Sequence, residues 1–77
     1  MNRIRRKAIS RLMEQLEELK SELETIRDEE QEAFENIPEA FCETERYTEA
    51  EEAAENLDTA FGSLEEVLEY LSAAVGE

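Results

Sequence analysis

The stretch that decides the fold is Tyr47-Thr-Glu-Ala50-Glu-Glu-Ala53-Ala54-Glu-Asn-Leu57-Asp-Thr-Ala60-Phe61-Gly-Ser-Leu64-Glu-Glu-Val67-Leu68-Glu-Tyr-Leu71-Ser-Ala-Ala74-Val75. Its apolar residues at Tyr47, Ala50, Ala54, Leu57, Phe61, Leu64, Leu68, Leu71 and Val75 are spaced alternately by three and four. That alternation is the a/d seam of a heptad repeat on an α-helix. A second apolar row runs beside it at strict sevens: Ala53, Ala60, Val67 and Ala74. Three apolar positions per heptad make a stripe wider than a two-helix seam needs. Small alanines fill most of the second row, so another helix can approach closely there. A helix patterned this way calls for burial on more than one side.

Thr44 is the expected N-cap of this helix, three residues before the seam begins; Thr48, with Glu51 completing a capping box, is a rival start. Gly76 suits the left-handed residue that follows a helix end. Gly62 is the weak point within the helix, and Ser63-x-x-Glu66 imitates a fresh capping box beside it. The seam passes from Phe61 to Leu64 without changing phase, however, which predicts one continuous helix with Gly62 on its outer face. The glycine costs about 1 kcal/mol relative to alanine.

The N-terminal half repeats the pattern. Asn2 is a suitable N-cap, and the predicted seam is Ile9, Leu12, Leu16, Leu19, Leu23, Ile26, Glu30, Ala33 and Ile37, with Glu30 the one polar intruder. Ile4, Ala8, Met13 and Phe34 add apolar flank. Pro38 stops this helix, because its ring clashes with the carbonyl four residues back and biases Ile37 away from helical angles. The expected layout is a single all-α domain with a first helix near 3–37, a connection at 38–43 and a second helix near 44–75. Within the connection one short helical turn is expected, with Phe41 folding back over the open end of the seam. Two helices of equal length on a short connection form an antiparallel, coiled-coil-like hairpin. Its second apolar row predicts dimerisation into a four-helix bundle, with Ala53, Ala60, Val67 and Ala74 as the self-association residues.

Composition narrows the function classes. A chain of 77 residues builds one small core, and the usual supports for so small a core are disulfides, a metal or oligomerisation. Cys42 is the sole cysteine and there is no histidine, so an intrachain disulfide is excluded and the thiol has no imidazole to activate it. Cys42 reads as a small filler in a reducing compartment. Di-metal sites in helical bundles use a Glu-x-x-His motif, which leaves Glu30 an isolated carboxylate and predicts no cofactor and no metal. No apolar run exceeds three residues, which argues against a membrane span.

The net charge is −14, and it is unevenly placed. Five of the eight basic residues (Arg3, Arg5, Arg6, Lys7 and Arg11) lie in the first eleven positions. A hairpin is expected to set that basic tip beside Glu65, Glu66, Glu69 and Glu77 at the end of the second helix, where the macrodipole also favours cations. The rest of the chain is close to polyanionic. Such a surface repels nucleic acid and anionic membranes and suits a basic protein surface, or it serves only to keep the protein dispersed.

The segments Arg27-Asp-Glu-Glu-Gln-Glu-Ala-Phe-Glu-Asn-Ile-Pro-Glu39, Glu43-Thr-Glu-Arg46 and Glu51-Glu-Ala-Ala-Glu-Asn-Leu-Asp-Thr-Ala60, with the opening Asn2-Arg-Ile-Arg-Arg-Lys7, carry a resemblance that spans nearly the whole chain. Together they resemble a family of small, acidic, mostly uncharacterised proteins encoded by phages, prophages and integrative elements of Gram-positive bacteria. Phe34 to Pro38 is the most specific part. The family pattern tends to glycine after Glu-Arg, where this chain has Tyr47. The resemblance implies a mobile-element origin and the cytoplasm of a bacterial host, and it brings no catalytic residues.

The functional expectation is a non-catalytic acidic helical protein that binds a basic protein partner, as a nucleic-acid mimic or an anti-defence inhibitor. The contact surface would be the acid-rich end formed by Asp28, Glu29, Glu32, Glu35, Glu39, Glu43, Glu45, Glu49 and Glu52. The competing expectation is a homo-oligomeric assembly module with no nucleic-acid-related partner. No direct contact with nucleic acid or membrane is expected in either case.

Overall fold

The computed structural model describes residues 1–76. Helix α1 spans Arg3–Glu35, a single 3-10 turn spans Glu39–Phe41, and helix α2 spans Glu45–Ala74. The described residues contain no strand, and 87% of them are helical. The two helices pack against each other as a hairpin 59 Å long and 15 Å across in both other directions.

Local chemistry accounts for the helix ends. The Asn2 Oδ1 accepts a hydrogen bond from the Arg5 N–H at 2.9 Å and caps α1. Helix α1 ends at Glu35, two residues before the expected limit, with Asn36 as C-cap. Ile37, directly before Pro38, is sterically turned from helical angles, and the Ile37 N–H closes the end by donating to the Phe34 carbonyl. The Thr44 hydroxyl makes two bonds: it accepts from the Tyr47 N–H at 3.3 Å and donates to the Phe41 carbonyl at 2.7 Å. One side chain therefore caps α2 and ties it to the preceding turn. Helix α2 runs unbroken through Gly62 and is followed by Gly76 at φ +83°, the left-handed conformation that glycine adopts without a Cβ clash.

The seam of α2 faces α1 as its spacing predicts. Ala54, Phe61, Leu68 and Val75 are buried, while Tyr47, Ala50, Leu57, Leu64 and Leu71 are half-buried. The face of α1 is a correction. Every residue it turns to α2 is only half-buried, and those residues are Ile9, Met13, Leu16, Lys20, Leu23, Arg27, Glu30, Phe34 and Ile37. Alternate members of the expected seam, Leu12, Leu19, Ile26 and Ala33, are exposed instead. Helix α1 is rotated by about half a heptad step, so that the next column, Met13, Lys20, Arg27 and Phe34, takes the inner place.

Phe61 explains the rotation. The Lys20 ammonium lies 5.4 Å and the Arg27 guanidinium carbon 4.3 Å from the centroid of its ring. Both side chains lay their alkyl stems along apolar surface and hold their charge against an aromatic face. Beyond the ring they reach carboxylates of α2: Lys20 pairs with Glu65 at 3.6 Å, and Arg27 with Asp58 at 3.7 Å. Carried toward the open end, this register sets Val75 level with Ser10. The first turns of α1, up to Ala8, then project past α2, in keeping with their full exposure. For Glu65, Glu66 and Glu69 the expected neutralisation of the basic tip is thereby corrected. Among the described residues Arg3, Arg5, Arg6 and Lys7 form no ion pair, and Glu65 pairs with Lys20. Glu77, also expected at that tip, lies outside the described residues.

Candidate interaction surfaces

Two surfaces stand out, one charged and one apolar. The charged one is the end of the hairpin around the connection, where Asp28, Glu29, Glu32 and Glu35 of α1 come together with Glu39, Glu43, Glu45, Glu49 and Glu52. All nine are exposed. Asp28 accepts two hydrogen bonds from its neighbour Arg27, at 3.2 and 3.0 Å, and among the described residues none of the other eight pairs with a cation. Glu35 accepts a bond from the Gln31 amide at 3.0 Å. The fold collects these carboxylates at one end without aligning them on one face. By heptad position Asp28, Glu35, Glu45 and Glu52 point away from the interhelical contact, so the charge wraps around the tip.

Arg46 is exposed and lines an open depression of about 380 Å³ with Ile37, Phe41, Thr44 and Tyr47. The seam is closed at this end by Phe34 and Tyr47, whose rings tilt at 44° with centroids 5.0 Å apart. Phe41, expected to fold over the seam, remains 55% exposed at the rim of the depression. The 3-10 turn carries it outward. Cys42 is free and half-buried, its thiol 3.9 Å from the Pro38 carbonyl. Glu30 is half-buried on the inner face, and no group of three or more metal-ligating side chains forms among the described residues.

The apolar surface combines residues of both helices. On α2 the row Ala60, Val67 and Ala74 is exposed and Ala53 is half-buried, because α1 covers only the neighbouring columns. On α1 the column left outside by the rotation is Leu12 at 46%, Leu19 at 54% and Ile26 at 52% exposure. In an antiparallel pair, positions on the same side of the two seams flank each other. The Lys20–Glu65 and Arg27–Asp58 pairs mark one side, and the exposed Leu/Ile and Ala/Val rows both fall on the other. They form one continuous apolar face. The seven-residue spacing of the α1 half is visible in the sequence, but hydropathy alone places those residues inward. A lysine and an arginine displacing them could be foreseen only from the packing around Phe61.

No helix of the described residues is long and apolar enough to cross a membrane. Comparison with protein-family models, curated proteins and solved structures finds no match.

Proposed function

We propose that this chain acts without catalysis, as a helical protein that binds a basic protein through its acidic end. The observation that carries the reading is the unpaired state of that end: eight exposed carboxylates that pair with no cation among the described residues. Desolvating such groups favours a partner that supplies lysine and arginine, and the attraction would speed encounter as well as strengthen it. The wrapped arrangement suits a concave basic cleft of the kind that holds nucleic acid. The sequence resemblance to mobile-element proteins adds a context, an inhibitor or nucleic-acid mimic working in a bacterial cytoplasm. Affinity capture from a bacterial host tests this: a basic nuclease, polymerase or restriction component should be retained, and duplex DNA should compete it off. Retention that DNA leaves unchanged, or no retained partner, defeats the mimic reading.

The apolar face supports a second reading, self-association into a four-helix bundle. Among the described residues the hairpin buries none of α1, three of α2 (Ala54, Phe61 and Leu68) and Val75 just past its end, a thin core for 77 residues. A homodimer would cover the remaining apolar rows. The two readings are compatible if the dimer displays two acidic ends, and a protein that self-associates but retains no basic partner would be an assembly module.

A further inference from the structure

Resting on the self-association reading, we infer that the apolar face receives a second copy of the chain in antiparallel orientation, α1 lying on α1 of the other copy. Across its Ala/Val row and the column beyond it, Glu49, Asn56, Ser63 and Tyr70, α2 carries one charge. The matching outer column of α1, Ala8, Gln15, Glu22 and Glu29, adds two, so on a chain with a net charge of −14 this side presents three carboxylates and a like-charged copy meets less repulsion here than at the acidic end. One side of the hairpin, 59 by 15 Å, offers about 900 Å², close to the roughly 800 Å² per partner of an ordinary stable interface.

The Lys20–Glu65 and Arg27–Asp58 pairs are seven residues apart on each helix, so the level of every turn is defined. Leu12 is then level with Ala74, Leu19 with Val67 and Ile26 with Ala60, to within a residue. Each row has its middle member at the same level, and Leu19 is also the midpoint of α1. A two-fold axis crossing the hairpin at that level returns both rows onto themselves: Leu19 meets Leu19, and Leu12 meets Ile26.

Charge selects this axis over one parallel to the helices. Above the Leu19 level, residues 1–18 and 67–76 hold five basic residues against Glu14, Glu17, Glu18 and Glu69, a net of +1. Below it, residues 20–66 hold 17 carboxylates against Lys20, Arg27 and Arg46, a net of −14. Parallel copies would press the two −14 halves together. Antiparallel copies place each against a near-neutral half, and the projecting turn of Arg3, Arg5, Arg6 and Lys7, which pairs with no carboxylate among the described residues, comes alongside the partner's acidic end. The dimer thereby gives the basic tip its counter-charge.

The native Cys42 reports the arrangement. With a spin label on it, the antiparallel dimer places the two labels about 60 Å apart, near twice the rise from Leu19 to the connection, whereas parallel copies hold them within about 20 Å. Sedimentation of the same sample decides association separately. A dimer with the long distance supports the inference. A dimer with the short distance overturns the orientation and leaves self-association standing, and a monomer at tens of micromolar overturns both. Crosslinking checks the register without a label: on a Cys42→Ser background, Leu19→Cys should form a disulfide-linked dimer on mild oxidation and Leu12→Cys alone should not. Dimeric Leu19→Cys protein that does not crosslink overturns the α1-on-α1 contact.

Discussion

Arg27 lies over Phe61, its guanidinium carbon 4.3 Å from the ring centroid, and this contact replaces a leucine-type seam with a cationic one. Replacing Arg27 with alanine removes the stem that shields the ring as well as the charge above it. The expected loss is about 1–2 kcal/mol, a fall of several degrees in thermal midpoint for a domain of this size. Arg27→Met, which keeps the stem, should recover most of the loss. Circular dichroism melts of both variants decide the point, and equal losses would show that the charge, not the packing, holds Phe61.

Gly62 sits inside α2 with nothing within 4 Å of where a Cβ would stand. Its φ is not left-handed, so alanine fits the backbone as it is. Gly62→Ala should therefore stabilise the protein by about 1 kcal/mol through helix propensity and a less free unfolded chain. A melting temperature that does not rise would point to a neighbour that needs the space.

Thr44 carries two bonds, to the Tyr47 N–H and the Phe41 carbonyl. Thr44→Ala should cost about 1 kcal/mol, in the ordinary range for loss of an N-cap. Thr44→Ser keeps both bonds and should lie close to the parent. Chemical denaturation of the three proteins gives the comparison.

Ala60 is exposed on the hairpin, so a glutamate there is tolerated by the isolated chain. In a dimer that covers the row, Ala60→Glu buries a charge without a partner, which typically costs several kcal/mol. The expected result is dissociation in sedimentation with retained helicity. Unchanged association would place the contact on another face.

Glu32, Glu35, Glu45 and Glu49 replaced together by glutamine should leave helicity intact and weaken binding of a basic partner. The parent's affinity should fall steeply with salt, because attraction between exposed charges is screened over about 10 Å at 0.1 M. The variant should show a shallower salt dependence. Identical binding in low and high salt would assign the carboxylates to dispersion alone.

The sequence by itself determined two helices, their hairpin and their caps. Period-3.5 spacing, Asn2, Thr44, Pro38 and Gly76 act through local sterics and local hydrogen bonds, and these operate before any tertiary contact forms. It also determined the inner face of α2, where Phe61, Leu68 and Val75 have no rival column of comparable bulk. In α1 two columns competed for the inner place. Leu12, Leu19 and Ile26 were the more hydrophobic, yet Lys20 and Arg27 could bury their stems, cover Phe61 and still reach Glu65 and Asp58. That choice depends on a ring contributed by the other helix some forty residues away in sequence, so only the tertiary structure decided it. The same rotation left the basic tip without an ion pair among the described residues and turned a leucine row outward beside Val67, because a helix that presents one stripe to its partner must expose the next.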